Sequence, residues 1–160
     1  VKDPAGLPAN FPHHQFDKLE LQGQYATRVK ERFSYSAQLQ AQYAERSLVG
    51  GEQLVAGGLD SIRGFNTSSA YGDKGMTLRN QLSTACPVNG VPLECQAFMD
   101  AGVTRALAEP PVMRLVGGGA GVRLAYRHVH GELLLAAPIY ASTGIDTDPL
   151  ELHFQIGARY

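Results

Sequence analysis

The chain has 160 residues, a formal net charge of −1 and 18 % charged residues, long enough for one domain with a real core and too short to suggest two. That balance creates no broad electrostatic field, so neither a nucleic-acid surface nor a polybasic membrane patch is indicated and any partner is recognised locally. No run of about 18 apolar residues offers a transmembrane helix, but membrane-spanning strands alternate and would leave no such run either.

Nothing near Val1 resembles a charged segment followed by an apolar one and a cleavage site, so the chain reads as mature or as a fragment. From there the dominant signal has a period of two. Leu19, Leu21, Gly23, Tyr25, Thr27 and Val29 alternate with Glu20, Gln22, Gln24, Ala26 and Arg28. After Lys30-Glu31-Arg32 the pattern restarts, with Phe33, Tyr35, Ala37, Leu39, Ala41 and Tyr43 set against Ser34, Ser36, Gln38, Gln40 and Gln42. A short strand is expected at 52–58, and longer ones at 75–86, 92–102, 113–127 and 131–139. The last, 150–160, places Leu150, Leu152, Phe154, Ile156, Ala158 and Tyr160 opposite Glu151, His153, Gln155, Gly157 and Arg159. Eight strands result, with reversals expected at Asn89-Gly90, His130-Gly131 and Asp148-Pro149.

Strands of ten residues or more suit a tilted membrane-spanning segment better than the five or six residues usual in soluble sheets. A soluble sandwich would pack one face of each strand with large apolar groups. Here the apolar faces mix Ala, Leu, Tyr and Phe, and the other faces carry rows of Gln and Ser, the composition of a water-filled interior. The fold class is therefore all-β, part of an antiparallel transmembrane barrel. Eight strands could close alone or supply half of a larger barrel, and periodicity does not choose.

Cys86 and Cys95 flank the turn-like stretch 87–92, and a hairpin centred there would set them opposite one another, close to bridging distance. A disulfide would imply an oxidising compartment such as the periplasm; the alternative is two free apolar thiols. His13-His14 and His128-Val129-His130 lack a carboxylate or cysteine cluster and read as polar turn residues, not metal ligands. Gly117-Gly118-Gly119-Ala120-Gly121 is followed by no phosphate-loop lysine, and no nucleophile-elbow spacing or activated cysteine appears. No catalytic site, cofactor or metal is expected.

One segment interrupts the alternation: Gly57-Gly58-Leu59-Asp60-Ser61-Ile62-Arg63-Gly64-Phe65, followed by a polar stretch to Gly72-Asp73-Lys74-Gly75. It resembles the haemolysin-activator and two-partner-secretion transporters of the barrel-assembly insertase superfamily, whose hallmark is Gly-Gly, a spacer, then Val/Ile-Arg-Gly-Phe/Tyr. Glu52-Gln53-Leu54, Gly72-Asp73-Lys74-Gly75 and Leu78-Arg79-Asn80-Gln81-Leu82 are similar to further elements of the secretion branch, with Gln81 where Glu is usual, a departure read as minor. Phe98-Met99-Asp100-Ala101-Gly102 matches the later Phe-x-Asp-x-Gly element. The resemblance covers nearly the whole of residues 1–160. It implies the C-terminal half of a sixteen-stranded barrel, strands nine to sixteen, with three strands before the motif loop and five after it.

Parity puts Asp100 on one face with Glu94, Gln96 and Phe98. The resemblance implies that this face is the lumen, that loop 59–75 folds inward, and that Arg63 pairs with Asp100 while Ile62 and Phe65 pack on the wall beside Gly102. Gly64 allows the tight turn, and Gly117, Gly119 and Gly121 leave room for the loop tip. Without the flanking motif, Arg63 would read as a solvated loop arginine and Asp100 as a strand-end carboxylate. Phe154, Ile156 and Tyr160 match the terminal signature read by the barrel-assembly machinery; otherwise 150–160 is a plain edge strand. The expected function is that of a Gram-negative outer-membrane translocator, embedded in the lipid bilayer, that secretes or activates a partner polypeptide of haemolysin or adhesin type and is not an enzyme. The alternatives are an outer-membrane insertase of the same superfamily and a small autonomous structural or adhesin barrel.

Overall fold

Alternation of side chains along an extended backbone lets each strand present an apolar and a polar face at once, and consecutive strands joined by short turns pair antiparallel. The computed structural model, which describes residues 6, 8, 10–12, 14–65, 69–108 and 111–158, realises that pattern as a seven-stranded antiparallel sheet. Its strands are β1 (Lys18–Val29), β2 (Phe33–Ala44), β5 (Lys74–Ala85), β6 (Leu93–Arg105), β7 (Met113–Tyr126), β8 (Val129–Ala141) and β9 (Glu151–Ala158), neighbours in that order. Two further strands, β3 (Leu54–Ala56) and β4 (Ala70–Gly72), pair only with each other. Among the described residues no helix is long and apolar enough to cross a membrane.

The strand expected at 52–58 therefore exists in its central three residues but does not enter the main sheet. The chain has already left the main sheet at the end of β2, 54–56 pairs instead with 70–72, and Gly57 and Gly58, with φ of 129° and 92°, then turn it into the loop. Two main-sheet strands, not three, precede the excursion at 45–73, and β4 was not foreseen because three residues carry too little periodicity. The reversal expected at His130-Gly131 lies instead at 127–128, where Arg127 takes φ 54°, so that only His128 of the His128-Val129-His130 group occupies a turn. His130 and Gly131 are strand residues of β8. His13, Arg159 and Tyr160 lie outside the described residues.

The two ends of the sheet differ. Short turns join β1 to β2, β5 to β6 and β7 to β8, using positive φ at Lys30 and Glu31, at Asn89 and Gly90, and at Arg127. Longer connections, including the excursion between β2 and β5, occupy the other end. One face is apolar and exposed, with Leu19, Leu21, Tyr25, Met76, Met99, Leu152, Phe154 and Ile156 on it. The opposite face carries Gln22, Gln24, Gln38, Gln40, Arg79, Gln81, Gln96, Arg123 and Glu132, a polarity inverted relative to a soluble sandwich and expected of a membrane barrel wall. β1 and β9 form the two edges of this open sheet and do not pair with one another.

The cysteines are joined, Cys86 to Cys95 with Cα atoms 5.7 Å apart, at the short-turn end. The expectation that they face one another directly is not met: Thr84 faces Cys95, and the Cys86 N–H donates to the Leu93 carbonyl, so the bond spans a diagonal between two side chains on one face. A turn centred on Asn89-Gly90, with Val88 and Val91 paired around it, sets Cys86 opposite Leu93 and leaves Cys95 two residues further along β6. Trypsin should release 80–105 as a single peptide containing both cysteines. Its mass from the folded full-length protein is expected to be lower by two hydrogens than after reduction, and alkylation of either thiol without reduction would contradict the bond.

Candidate functional site

The excursion between β2 and β5 returns across the polar face, and its tip is held there by charge, shape and backbone together. Ile62, Arg63 and Phe65 are all buried, Arg63 to 3 % exposure. Asp100 projects from β6 toward it with no exposure at all. The guanidinium donates twice, from Nε to Oδ2 at 2.7 Å and from Nη2 to Oδ1 at 2.9 Å, the forked geometry in which arginine binds carboxylate best. The Arg63 backbone N–H adds a third bond to Oδ2 at 3.2 Å, and the Asn80 N–H donates to Oδ1 at 3.2 Å. The remaining arm, Nη1, donates to Gln81 Oε1 at 2.9 Å, and the Phe98 ring lies 3.7 Å from the guanidinium carbon as a cation–π floor.

The residues expected from the sequence are thus brought together, each with its own contact. Along β6, Phe98 stacks under the guanidinium and Asp100 pairs with it, while Gly102 leaves space for Ile62, whose Cδ1 a Cβ at 102 would overlap. Gly64 takes φ 94° and packs so close to β8 that a Cβ would sit 2.8 Å from the Ala137 carbonyl, so both dihedral and space demand glycine. A Cβ at Gly117 would overlap the Arg63 carbonyl oxygen. The other two glycines of that track do not touch the tip: Gly119 accommodates Phe98 and Gly121 accommodates Leu134. Phe65 and Ile62 complete a small apolar cluster with Ala56, Ala70 and Leu115.

Gln81, read as a minor departure, is a direct partner of Arg63. Its neutral amide leaves the arginine with one charged acceptor, where a glutamate would supply a second. Beside the tip, Arg79 reaches the Asp60 carbonyl at 3.4 Å and Gln38 at 3.5 Å. Further along the face Arg123 bridges Glu94 and Glu132, and Gln96 donates to Glu132. Asp60, Arg63, Arg79, Gln81, Arg123 and Glu132 line an open cavity of about 460 Å³ beside the loop. Phe154, also on its lining, is 75 % exposed and, like Ile156, stands on the apolar side of the β9 edge.

A second anchor was missed. Asp73, fully buried at the root of the loop, accepts from the Leu48 N–H at 2.7 Å, the Leu107 N–H at 2.6 Å and the Gln53 amide at 3.1 Å. One carboxylate therefore ties the segment leaving β2 and the connection after β6 to the start of β5. The available signal was an acidic residue between Gly72 and Gly75, both of which sit too close to β6 backbone to accept a side chain.

Comparison with known proteins finds that the haemolysin secretion/activation protein family ShlB/FhaC/HecB matches residues 2–124. The outer membrane transporter CdiB of Dickeya dadantii (strain 3937) is 27 % identical over 157 residues, which is 95 % of this chain and 28 % of that protein. CdiB of Escherichia coli is 27 % identical over 160 residues, 97 % of this chain and 27 % of its own length. The chain thus spans little more than a quarter of these relatives. The solved structure of CdiB from Escherichia coli superposes with a TM-score of 0.88 at 26 % identity, covering 98 % of this chain and 30 % of that one. CdiB from Acinetobacter baumannii, at 21 % identity and a TM-score of 0.74 over 87 % of this chain and 26 % of its own, shares the fold.

Removing one member of the buried pair strands the other charge. In the full-length protein, Arg63→Ala or Asp100→Ala should each weaken loop docking by about 3–5 kcal/mol, with the double substitution well short of their sum. Hydrogen exchange at the amides of 62–65 reads this directly, and additive effects would contradict the pairing. Gln81→Glu should slow that exchange, since a charged acceptor strengthens the bond by about 1 kcal/mol. Asp73→Asn turns an amide toward a backbone donor and should cost about 1–3 kcal/mol, seen as faster exchange at Leu48 and Leu107.

Proposed function

The chain belongs to the ShlB/FhaC/HecB family of haemolysin secretion/activation proteins, a family of transporters and not enzymes, and we propose that residues 1–160 form the C-terminal part of one transmembrane barrel. In the outer membrane of a Gram-negative bacterium, this barrel passes a partner exoprotein of haemolysin or adhesin type through its lumen. The apolar exterior, the polar opposite face and the length of the strands support the membrane assignment. Short turns at one end and long connections at the other fit a periplasmic and an extracellular side respectively. In the family barrel the motif loop lies between strands eleven and twelve. With two wall strands before it and five after, this segment supplies strands ten to sixteen, one fewer than the sequence suggested. Strands elsewhere in the full-length protein then pair with the open edges of β1 and β9.

The observation that carries the reading is the loop tip held across the polar face by Arg63 and Asp100. A loop docked in the lumen by a desolvated ion pair occupies space that a translocating polypeptide needs, while its polar neighbours Gln38, Arg79 and Arg123 offer an extended chain a wettable path. The pair acts as a latch between a docked and an undocked loop, and the exoprotein is the ligand that shifts that equilibrium. During biogenesis the barrel-assembly machinery reads the C-terminal strand, with Phe154, Ile156 and Tyr160 as its signal. Phe154 and Ile156 stand on the exposed apolar face in support of that role.

The test is secretion of the cognate exoprotein by the full-length transporter bearing Arg63→Ala, Asp100→Ala or both, normalised to barrel abundance at the surface. Each single variant should depart from normal secretion at normal abundance, and the double should depart no further than the more affected single. Normal secretion by all three would remove the latch.

A further inference from the structure

Three cations stand on the outer, apolar face at the loop end of adjacent strands: Lys74 on β5, Arg105 on β6 and Arg114 on β7. Their direction follows from the ladder. Lys74 is directly opposite Arg105 and its Nζ lies 4.2 Å from the centre of the Tyr43 ring, an exposed outer residue. Thr104 and Leu115 are buried on the inner side, so their neighbours Arg105 and Arg114 face out. Arg114 is opposite Val103, which places it diagonally beside Arg105. Like charges paired directly across strands repel, and among the described residues none of the three makes an ion pair. On the polar face Lys18, Arg63 and Arg123 each have a carboxylate, and Arg79 donates to the Asp60 carbonyl and Gln38. Below the cations, toward the short-turn end, the outer surface turns apolar with Met76, Leu78 and Met99 exposed, while Tyr43 and Tyr140 mark the level at which a bilayer interface would lie.

We propose that Lys74, Arg105 and Arg114 form a binding site for the phosphate groups of a phosphorylated glycolipid in the outer leaflet of the membrane. The proposal rests on the outer-membrane reading, which puts the loop end at that leaflet. A phosphate bridging the three cations relieves their repulsion, and the two guanidinium forks match phosphate oxygens bidentately. The acyl chains of the same lipid then lie along Met76, Leu78 and Met99. Charge complementarity selects this occupant over a neutral lipid, and the apolar surface beneath the cations selects a lipid over a soluble phosphate.

The full-length transporter, purified in neutral detergent and placed in phosphatidylethanolamine nanodiscs, would be titrated with diphosphoryl, monophosphoryl and dephosphorylated lipid A, and separately with phosphatidylglycerol. Affinity should fall with each phosphate removed. The triple substitution Lys74→Gln, Arg105→Gln, Arg114→Gln should weaken binding of the diphosphoryl form on the order of a hundredfold, while Arg105→Lys with Arg114→Lys, which keeps the charges and loses the forks, should fall between the two. Heat-modifiable migration in gels reports folding; if the triple variant does not fold, the phosphate series on the unaltered protein decides. Equal affinity for phosphorylated and dephosphorylated lipid A, or full retention by a folded triple variant, overturns the site. A preference for phosphatidylglycerol over lipid A also overturns it, and places the fault in the assignment of the loop end to the outer leaflet.

Discussion

A buried guanidinium held by one carboxylate is the contact on which the rest of this arrangement depends. Neither Arg63 nor Asp100 tolerates loss of the other, because each would be left as an uncompensated charge away from water. Such a pair contributes less to net stability than to the exactness of position, since a forked two-bond contact admits one orientation only. The loop tip is therefore placed, not merely attracted. The apolar contacts of Ile62 and Phe65 add adhesion to a position the ion pair has already chosen.

The surroundings are shaped to that position by subtraction. Gly64, Gly102 and Gly117 each lie where a single methyl group would strike the loop or the wall. Asp73 works at the other end of the excursion, gathering three segments at its root. With the root tied and the tip held by a separate interaction, undocking need not disturb the base of the loop or the ladder from β5 to β6. That separation is what a reversible latch requires of its scaffold.

The sheet itself is an exercise in two solvents. Outer residues meet hydrocarbon and inner residues meet water, so a one-residue slip in register would exchange the two environments for a whole strand. Departures from the alternation are correspondingly few. Asn80, on the outer side, has its amide occupied by the Tyr35 hydroxyl and the Met99 carbonyl. The register shift between Val116 and Gly117 leaves both Ile139 and Tyr140 exposed on β8.

The alternation of Leu, Tyr and Ala with Gln and Ser was sufficient to specify the long strands, their faces and the antiparallel order, because strand periodicity is a local property written residue by residue. The face on which Asp100 lies followed from the same parity. The tetrapeptide 62–65 stood out as a break in that pattern, and its likeness to a known family suggested a partner for Arg63 that spacing alone could not, since 37 residues separate it from Asp100. Tertiary structure decided the remainder: that 52–58 stays out of the main sheet and pairs with 70–72, that the cysteines meet on a diagonal, that Gln81 completes the arginine's shell, and that Asp73 closes the root. Each of these depends on where two distant segments cross in space, and a backbone that turns at a glycine or slips by one residue carries no periodic mark of where it will arrive.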